Sequence, residues 1–387
     1  MSEPKRSSPA AALTPPTLLG RLGLGQRSPW DPPTVLDRLL ASPVRAAAHY
    51  LWQWIAAARG WAAAVANRAR HAPSPLSSSS SSSSSVVRVV CLSDTHDQIV
   101  PDVPGGDLLI HAGDLTNNGT PADLQRQLDW LASLPHEHKV VVCGNHDSWF
   151  DPAARVAAGM PAPRIPAGIH YLEHDTATLT FANGRRLTVY GAPDIPKCGP
   201  ESFSWVLHLA VCCFQYTTAP SSPTFNSFQY ERSSPPWQDT IPAGVDILVT
   251  HPPPRYHLDL GIGCAGLLQE VWRVRPKLNV FGHIHWGAGR QVVFWDASQR
   301  AYEVLMEADK ADVGVRGLLS SLAALPGRLL NLGRLLATAV VTSLLLPLWL
   351  VAPTSRVGRT NGTVLINAGQ MHGNTGRLGR NVQVVDL

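Results

Sequence analysis

Val86-Val-Arg-Val-Val-Cys-Leu-Ser-Asp-Thr-His96 decides the fold. A lone Arg interrupts an otherwise apolar run of the length and composition of a short buried strand. The run stops at Asp94 and His96, residue types that bind divalent cations. The same pattern recurs along the chain. Asp107-Leu-Leu-Ile110 runs into Gly113-Asp114, and Lys139-Val-Val-Val-Cys143 into Gly144-Asn-His-Asp147. The apolar stretches 245–250 and 278–281 end in Thr250-His251 and Gly282-His-Ile-His285. Further strands are expected at 187–190, 291–295 and 363–367. Between the second and third units, Thr120 is placed to N-cap a helix with Pro121 first and Asp123 in its first turn. Leu124, Leu128, Leu131 and Leu134 recur on one face of that helix. This strand–helix–strand rhythm predicts a layered, mixed α/β core. Ligands of such sheets gather beyond the carboxyl ends of the strands, where all five polar clusters fall.

Singly, the clusters say little. Asp-x-His is common in loops, Gly-Asp is ordinary turn chemistry, and a His before three prolines is an ordinary loop residue. Five in order, each at a strand end, are poorly explained by chance. Their chemistry suits phosphoester hydrolysis, which needs a strong nucleophile and neutralisation of developing negative charge. Two divalent cations about 3.5–4 Å apart supply both. A carboxylate bridges such a pair, and a His outside the ligand set protonates the leaving oxygen. Asp97, Asp102, Asp107, His111, His136 and His138 lie nearby in sequence and read as structural or solvated.

The text Leu92-Ser-Asp-Thr-His96, Ala112-Gly-Asp-Leu-Thr-Asn117, Val141-Val-Cys-Gly-Asn-His-Asp147, Leu248-Val-Thr-His-Pro-Pro253, Gly263-Cys264, Arg275-Pro276 and Val280-Phe-Gly-His-Ile-His285 resembles the calcineurin-like metallophosphoesterases. The resemblance covers roughly 86–305 and 361–370, and is strongest to small metallophosphoesterase-domain phosphodiesterases. It implies a four-layer αββα sandwich, two mixed sheets flanked by helices, within an 86–387 domain. It also implies two divalent metal ions (Mn, Fe, Zn or Mg) and a small phosphoester substrate: a phosphodiester, cyclic nucleotides included, or a phosphomonoester. Carried over by position, Asp94, His96 and His285 hold the first metal and Asp114 bridges. Asn145, His251 and His283 hold the second. His146 protonates the leaving oxygen or clamps the phosphate, with Asp147 as its supporting partner. Two features depart from the family: an insertion at 306–360, and Trp286 where an acidic residue often follows the last His.

Outside the motifs the text is less specific. Charged residues are 16% of the chain, and its formal net charge of +4 comes from scattered Arg rather than a basic block. That argues against nucleic acid as partner, and so against a nuclease on the same core. A third reading, a membrane-associated scaffold with a vestigial site, is disfavoured by the intact ligand set. Six Cys show no disulfide spacing, and Cys91 and Cys143 read as buried thiols. With no secretory h-region, an intracellular, cytoplasm-facing protein is expected. Residues 1–43 are expected to be disordered, and 71–85, with nine consecutive serines, to be a linker. The stretch 44–70 reads as an Ala-rich helix with Trp52, Trp54 and Trp61, at a membrane interface or packed on the domain. A second insertion is expected at about 200–236. There Ser202-Phe203 recurs as Ser227-Phe228, which suggests a retained intron or a lineage-specific loop. Within 306–360, Leu335 to Ala352 is 18 residues without a charge. It is expected to span or re-enter a membrane, lie at its interface, or pack on the domain. Oligomeric state is left open by the sequence.

Overall fold

The computed structural model describes residues 33–71, 86–198, 227–307, 315–351, 362–373 and 375–387. The three leading expected strands form as β1 (Arg88–Leu92), β2 (Leu108–Ala112) and β3 (His138–Val142). They run parallel, with β4 (Ile169–Tyr171) beyond β3 and β13 (Gln383–Asp386) antiparallel outside β1. A second sheet has the order β11 (Gly289–Val293), β12 (Thr363–Asn367), β10 (Leu278–Phe281), β9 (Ile247–Thr250), β6 (Arg186–Ala192), β5 (Asp175–Thr180). Its outer pairs are antiparallel and its interior parallel. A short parallel pair, β7 (Ile195–Pro196) and β8 (Gln229–Tyr230), stands apart.

Strand alternation explains the layering, because successive side chains point to opposite faces. Val89, Cys91, Ile110 and Val140 face Val189, Val249, Val280 and Ile366 between the sheets. On the outer face of the first sheet, Val90, Leu92, Leu109 and Val141 meet Leu124, Leu128 and Leu131 of α3 (Pro121–Ser133). Thr120 caps that helix as its sequence predicts, accepting from the Asp123 amide. The second sheet is covered in two patches. Tyr190 and Leu248 pack on Leu267 and Val271 of α5 (Ala265–Val274). Phe281, Val293 and Leu365 pack under α2 (Pro43–His71), α6 (Ala297–Glu307) and α7 (Val315–Val351). The result is the expected αββα sandwich, with Cys91 and Cys143 buried in it.

Three expectations change at the margins. The proposed disordered stretch 1–43 contains α1 (Val35–Ala41), because Thr34 and Asp37 form a reciprocal capping box; residues 1–32 lie outside the described residues. The 44–70 helix exists and is docked: Trp52 stacks on Tyr302 at 4.3 Å and donates to Gln299 Oε1 at 2.9 Å. The end of the 200–236 stretch belongs to the domain, since β8 pairs with β7 and leads to the buried Trp237. The repeated Ser-Phe junction spans 203–226, outside the described residues. Within 306–360, α6 runs to Glu307 and α7 follows. Ala324–Pro347 of α7 is long and apolar enough to cross a membrane by length and composition.

Candidate metal centre

Every sequence-predicted site residue lies just past the carboxyl end of a strand. β1 leads to Asp94 and His96, β2 to Asp114, and β3 to Asn145, His146 and Asp147. β9 leads to His251, and β10 to His283 and His285. The first sheet therefore supplies all the oxygen donors and two imidazoles, and the second supplies three imidazoles. Three donor groups result: Asp94, His96 and His285; His96, Asp114 and His146; Asp114, His251 and His283. Within each group the candidate ligand atoms lie within 4.8 Å of one another. His285 Nε2 is 3.3 Å from both Asp94 Oδ1 and His96 Nε2. His251 Nε2 is 3.3 Å from Asp114 Oδ2 and 3.2 Å from Asn145 Oδ1. His146, expected to be a proton donor, thus also falls among the donors.

Backbone carbonyls fix three of these rings. Nδ1 of His251 donates to Ala112 O at 2.9 Å, that of His285 to Gly373 O at 2.9 Å, and that of His146 to Asn117 O at 2.8 Å. A carbonyl oxygen only accepts, so Nδ1 carries the proton and Nε2 of the neutral ring offers a lone pair. An outer hydrogen bond of this kind is how proteins set the tautomer of a metal-binding His. Sequence reading missed these carbonyls because they carry no side-chain signature.

The electrostatics fit cations. Burial raises the Asp94 carboxyl, but the His285 hydrogen bond and charge outweigh it and hold it down at about 2. Asp114 is likewise buried yet well below the usual range, chiefly through the charge of His251. In return Asp114 overcomes the desolvation of His251 and pushes that ring up to about 9. Burial takes His96 and His283 down to about 3. Two buried carboxylates therefore hold a proton on His251, the place a divalent cation would take. Imidazole, carboxylate and amide oxygen together suit such an ion.

The backbone is bent to make this arrangement. Asp94 (φ 54°), His96 (φ 45°), Asp114 (φ 52°) and His283 (φ 65°) are all in the left-handed region that side chains disfavour. His283 N is held there by the Asp94 carboxylate, at 3.0 and 3.1 Å from its oxygens. Gly144 is required by proximity: a Cβ there would press on the Asp114 carboxylate and come within 2.7 Å of His251 Cε1.

Asp147 behaves differently from the role the resemblance implied. Its carboxylate accepts from Gly144 N (2.9 Å), Leu115 N (3.2 Å), Thr116 N (3.1 Å) and Thr116 Oγ1 (3.0 Å). It ties the β2 and β3 loops together, while Asn117 O accepts the hydrogen bond from His146 Nδ1. The neighbouring titratable residues are structural, as expected. Asp107 accepts from Arg88 N, His136 meets Pro104 O, and His138 meets Thr180 O. His111 Nε2 lies 3.0 Å from the hydroxyl of Thr95, between two of the ligands.

Residues 87–287 match the family model of the calcineurin-like phosphoesterases. Human metallophosphoesterase domain-containing protein 1 is 35% identical over 230 residues, covering 52% of this chain and 61% of that protein. A UPF0046 protein of Caenorhabditis elegans is 34% identical over 219 residues, 51% of this chain and 69% of its own length. An Emericella nidulans protein named probable rhamnogalacturonate lyase C is 41% identical over 229 residues, 58% of this chain and 20% of that one. The chain thus spans only a fifth of the fungal protein and about three fifths of the human one.

Proposed function

We propose that this chain, which belongs to the calcineurin-like phosphoesterase family, is a metal-dependent phosphoester hydrolase that cleaves small phosphodiesters at a two-metal centre. The observation carrying this reading is the convergence of three donor groups from two sheets, with Asp114 common to two of them. Asp94, His96 and His285 would hold one cation, and Asn145, His251 and His283 the other. Asp114 would bridge. When bound, the cations supply a lowered water pKa and neutralisation of phosphate charge.

The chain's own residues do the rest. Asp94, Asp114, Asn145 and His251 are buried, while His146, His283 and His285 are partly open, so substrate enters on the histidine side. His146 is anchored twice, its amide on Asp114 Oδ1 at 2.9 Å and its Nδ1 on Asn117 O. So held, His146 would hand a proton to the departing alkoxide as the imidazolium. The choice of a diester rests on the resemblance of the motif text to small metallophosphoesterase-domain phosphodiesterases.

The test is a phosphoester panel on the purified chain with Mn²⁺, Fe²⁺, Co²⁺, Zn²⁺ or Mg²⁺, alongside metal analysis. Bis-p-nitrophenyl phosphate should turn over faster than p-nitrophenyl phosphate, and His283→Ala should lose both metal and turnover. Absence of hydrolysis with every cation, or a fully active His283→Ala with unchanged metal content, refutes the proposal.

A further inference from the structure

A surface helix of a water-soluble domain points apolar side chains inward and polar ones outward. α7 departs from this, being as apolar on its outward side as on its inward one. It buries Leu335, Ala339 and Thr342, at i, i+4 and i+7, where it packs on α2 and α6. Its opposite face consists of Leu329, Leu330, Leu336, Val340, Val341 and Leu344, each 48–70% exposed. The buried side thus holds Leu335 and Ala339 beside one hydroxyl, and the open side is aliphatic too.

The neighbouring helices continue the pattern. α2 buries Trp52 and Ile55 but exposes Tyr50, Trp54 and Trp61 along one stripe, at i, i+4 and i+11. α1 exposes Val35, Leu39 and Leu40. Amphipathic aromatic rings of this kind favour the boundary between lipid headgroups and acyl chains. Charge is the second observation. α2 and α7 carry Arg45, Arg59, Arg68, Arg70, Arg316, Arg328 and Arg334, with no Asp or Glu in either helix. Of these, Arg59 is paired with Asp296 of the domain. The six besides Arg59 compare with a net charge of +4 for the whole chain. A basic, aliphatic and aromatic surface is complementary to an anionic bilayer.

Topology decides how the bilayer is met. α6 precedes α7, and β12 follows it to lie between β10 and β11. A single crossing by α7 would put β12 on the far side from the sheet it completes. A return through hydrocarbon outside a helix would leave backbone groups unsatisfied. We propose that α1, α2 and α7 form a monotopic docking face that seats the protein on an anionic bilayer surface, with its Leu and Val side chains in the acyl boundary and its arginines at the phosphates.

The experiment is flotation of the full chain with phosphatidylcholine vesicles and with phosphatidylcholine–phosphatidylserine vesicles, at low and high salt. The chain should float with the anionic vesicles, and salt should weaken the binding. Leu330→Glu/Val340→Glu/Leu344→Glu should lower the partition coefficient by at least about tenfold. Its circular dichroism melt should match wild type, because those side chains touch solvent; a Ser triple replaces it if the Glu triple melts early. Failure of the wild-type chain to float with anionic vesicles at low salt overturns the proposal. So does equal flotation of a folded triple variant. A wild-type dimer that the triple variant converts to monomer, with no vesicle binding by either, would assign the face to a second copy of the chain instead.

Discussion

Trp52→Ala tests whether the N-terminal helix is part of the phosphoesterase fold or an appendage to it. The indole is 2% exposed, stacks on Tyr302 with ring planes 13° apart, and donates to Gln299 Oε1. Gln299 Nε2 in turn donates to Glu303 Oε1 at 2.8 Å and contacts His257 Nε2 at 3.0 Å. Glu303 also accepts from Trp272 Nε1 at 2.8 Å. Truncating a buried Trp to Ala costs about 3–5 kcal/mol in transfer and cavity terms. Orphaning the Gln299 oxygen adds about 1 kcal/mol. The expected loss is therefore about 4–6 kcal/mol, a large share of the 5–15 kcal/mol typical of a domain. Trp52→Phe removes the N–H and keeps most of the ring, so it should cost about 1–2 kcal/mol. Urea unfolding of the metal-free chain, followed by far-UV circular dichroism, measures both. A Trp52→Ala loss below about 1 kcal/mol would refute the docking of α2, and a Phe variant as damaging as Ala would refute the ring-stacking argument.

Three further outcomes are expected. Gly144→Ala should push Asp114 and His251 apart and reduce metal affinity by at least about tenfold, read by metal analysis after dialysis; full occupancy would count against the close approach. Cation binding near pH 7 should release at least about one proton, because His251 sits at about 9 in the metal-free protein, Asp94 raises His285 as well, and each must be neutral to ligate. Titration calorimetry in buffers of different ionisation enthalpy reads that proton, and a buffer-independent heat would contradict it. Asp194→Asn should lower stability near pH 6 and lower it less near pH 9. The paired Asp194 raises His174, so the stabilisation is present below the unfolded value of about 6.5 and fades as pH rises through the folded one. With His174 part-exposed, solvent screening keeps the effect under about 1 kcal/mol, and an equal loss at both pH values would exclude it.

The sandwich and its donor cluster were legible because each unit packs its evidence into a few contiguous residues. In β1 the alternation of Val89 and Cys91 with Val90 and Leu92 serves both faces of a buried strand. The ligands follow within four residues. What escaped reading was written across distance or against the usual code. β5, Asp175–Thr180, is an edge strand with mostly exposed side chains, so it lacks an apolar run. α6 buries Ser298, Gln299 and Glu303, and its inward face looks polar until Trp52, His257 and Trp272 arrive as partners. Asp147 looked catalytic because it follows His146. Its role as a clamp depends on amides of Leu115 and Thr116, some thirty residues away.

The order of strands in space sets a timetable for the molecule's assembly. β12 belongs between β10 and β11, yet α6 and α7 are synthesised before it. Until Thr363–Asn367 leaves the ribosome, β10 and β11 present unpaired inner edges, the template on which nascent chains aggregate. β1 waits longer still, since Val89 pairs with Val385. Such non-local closure makes for slow folding. The two sheets that present the donors are therefore complete only after Gln383–Asp386 has been made, so a preformed cation site follows that point of synthesis.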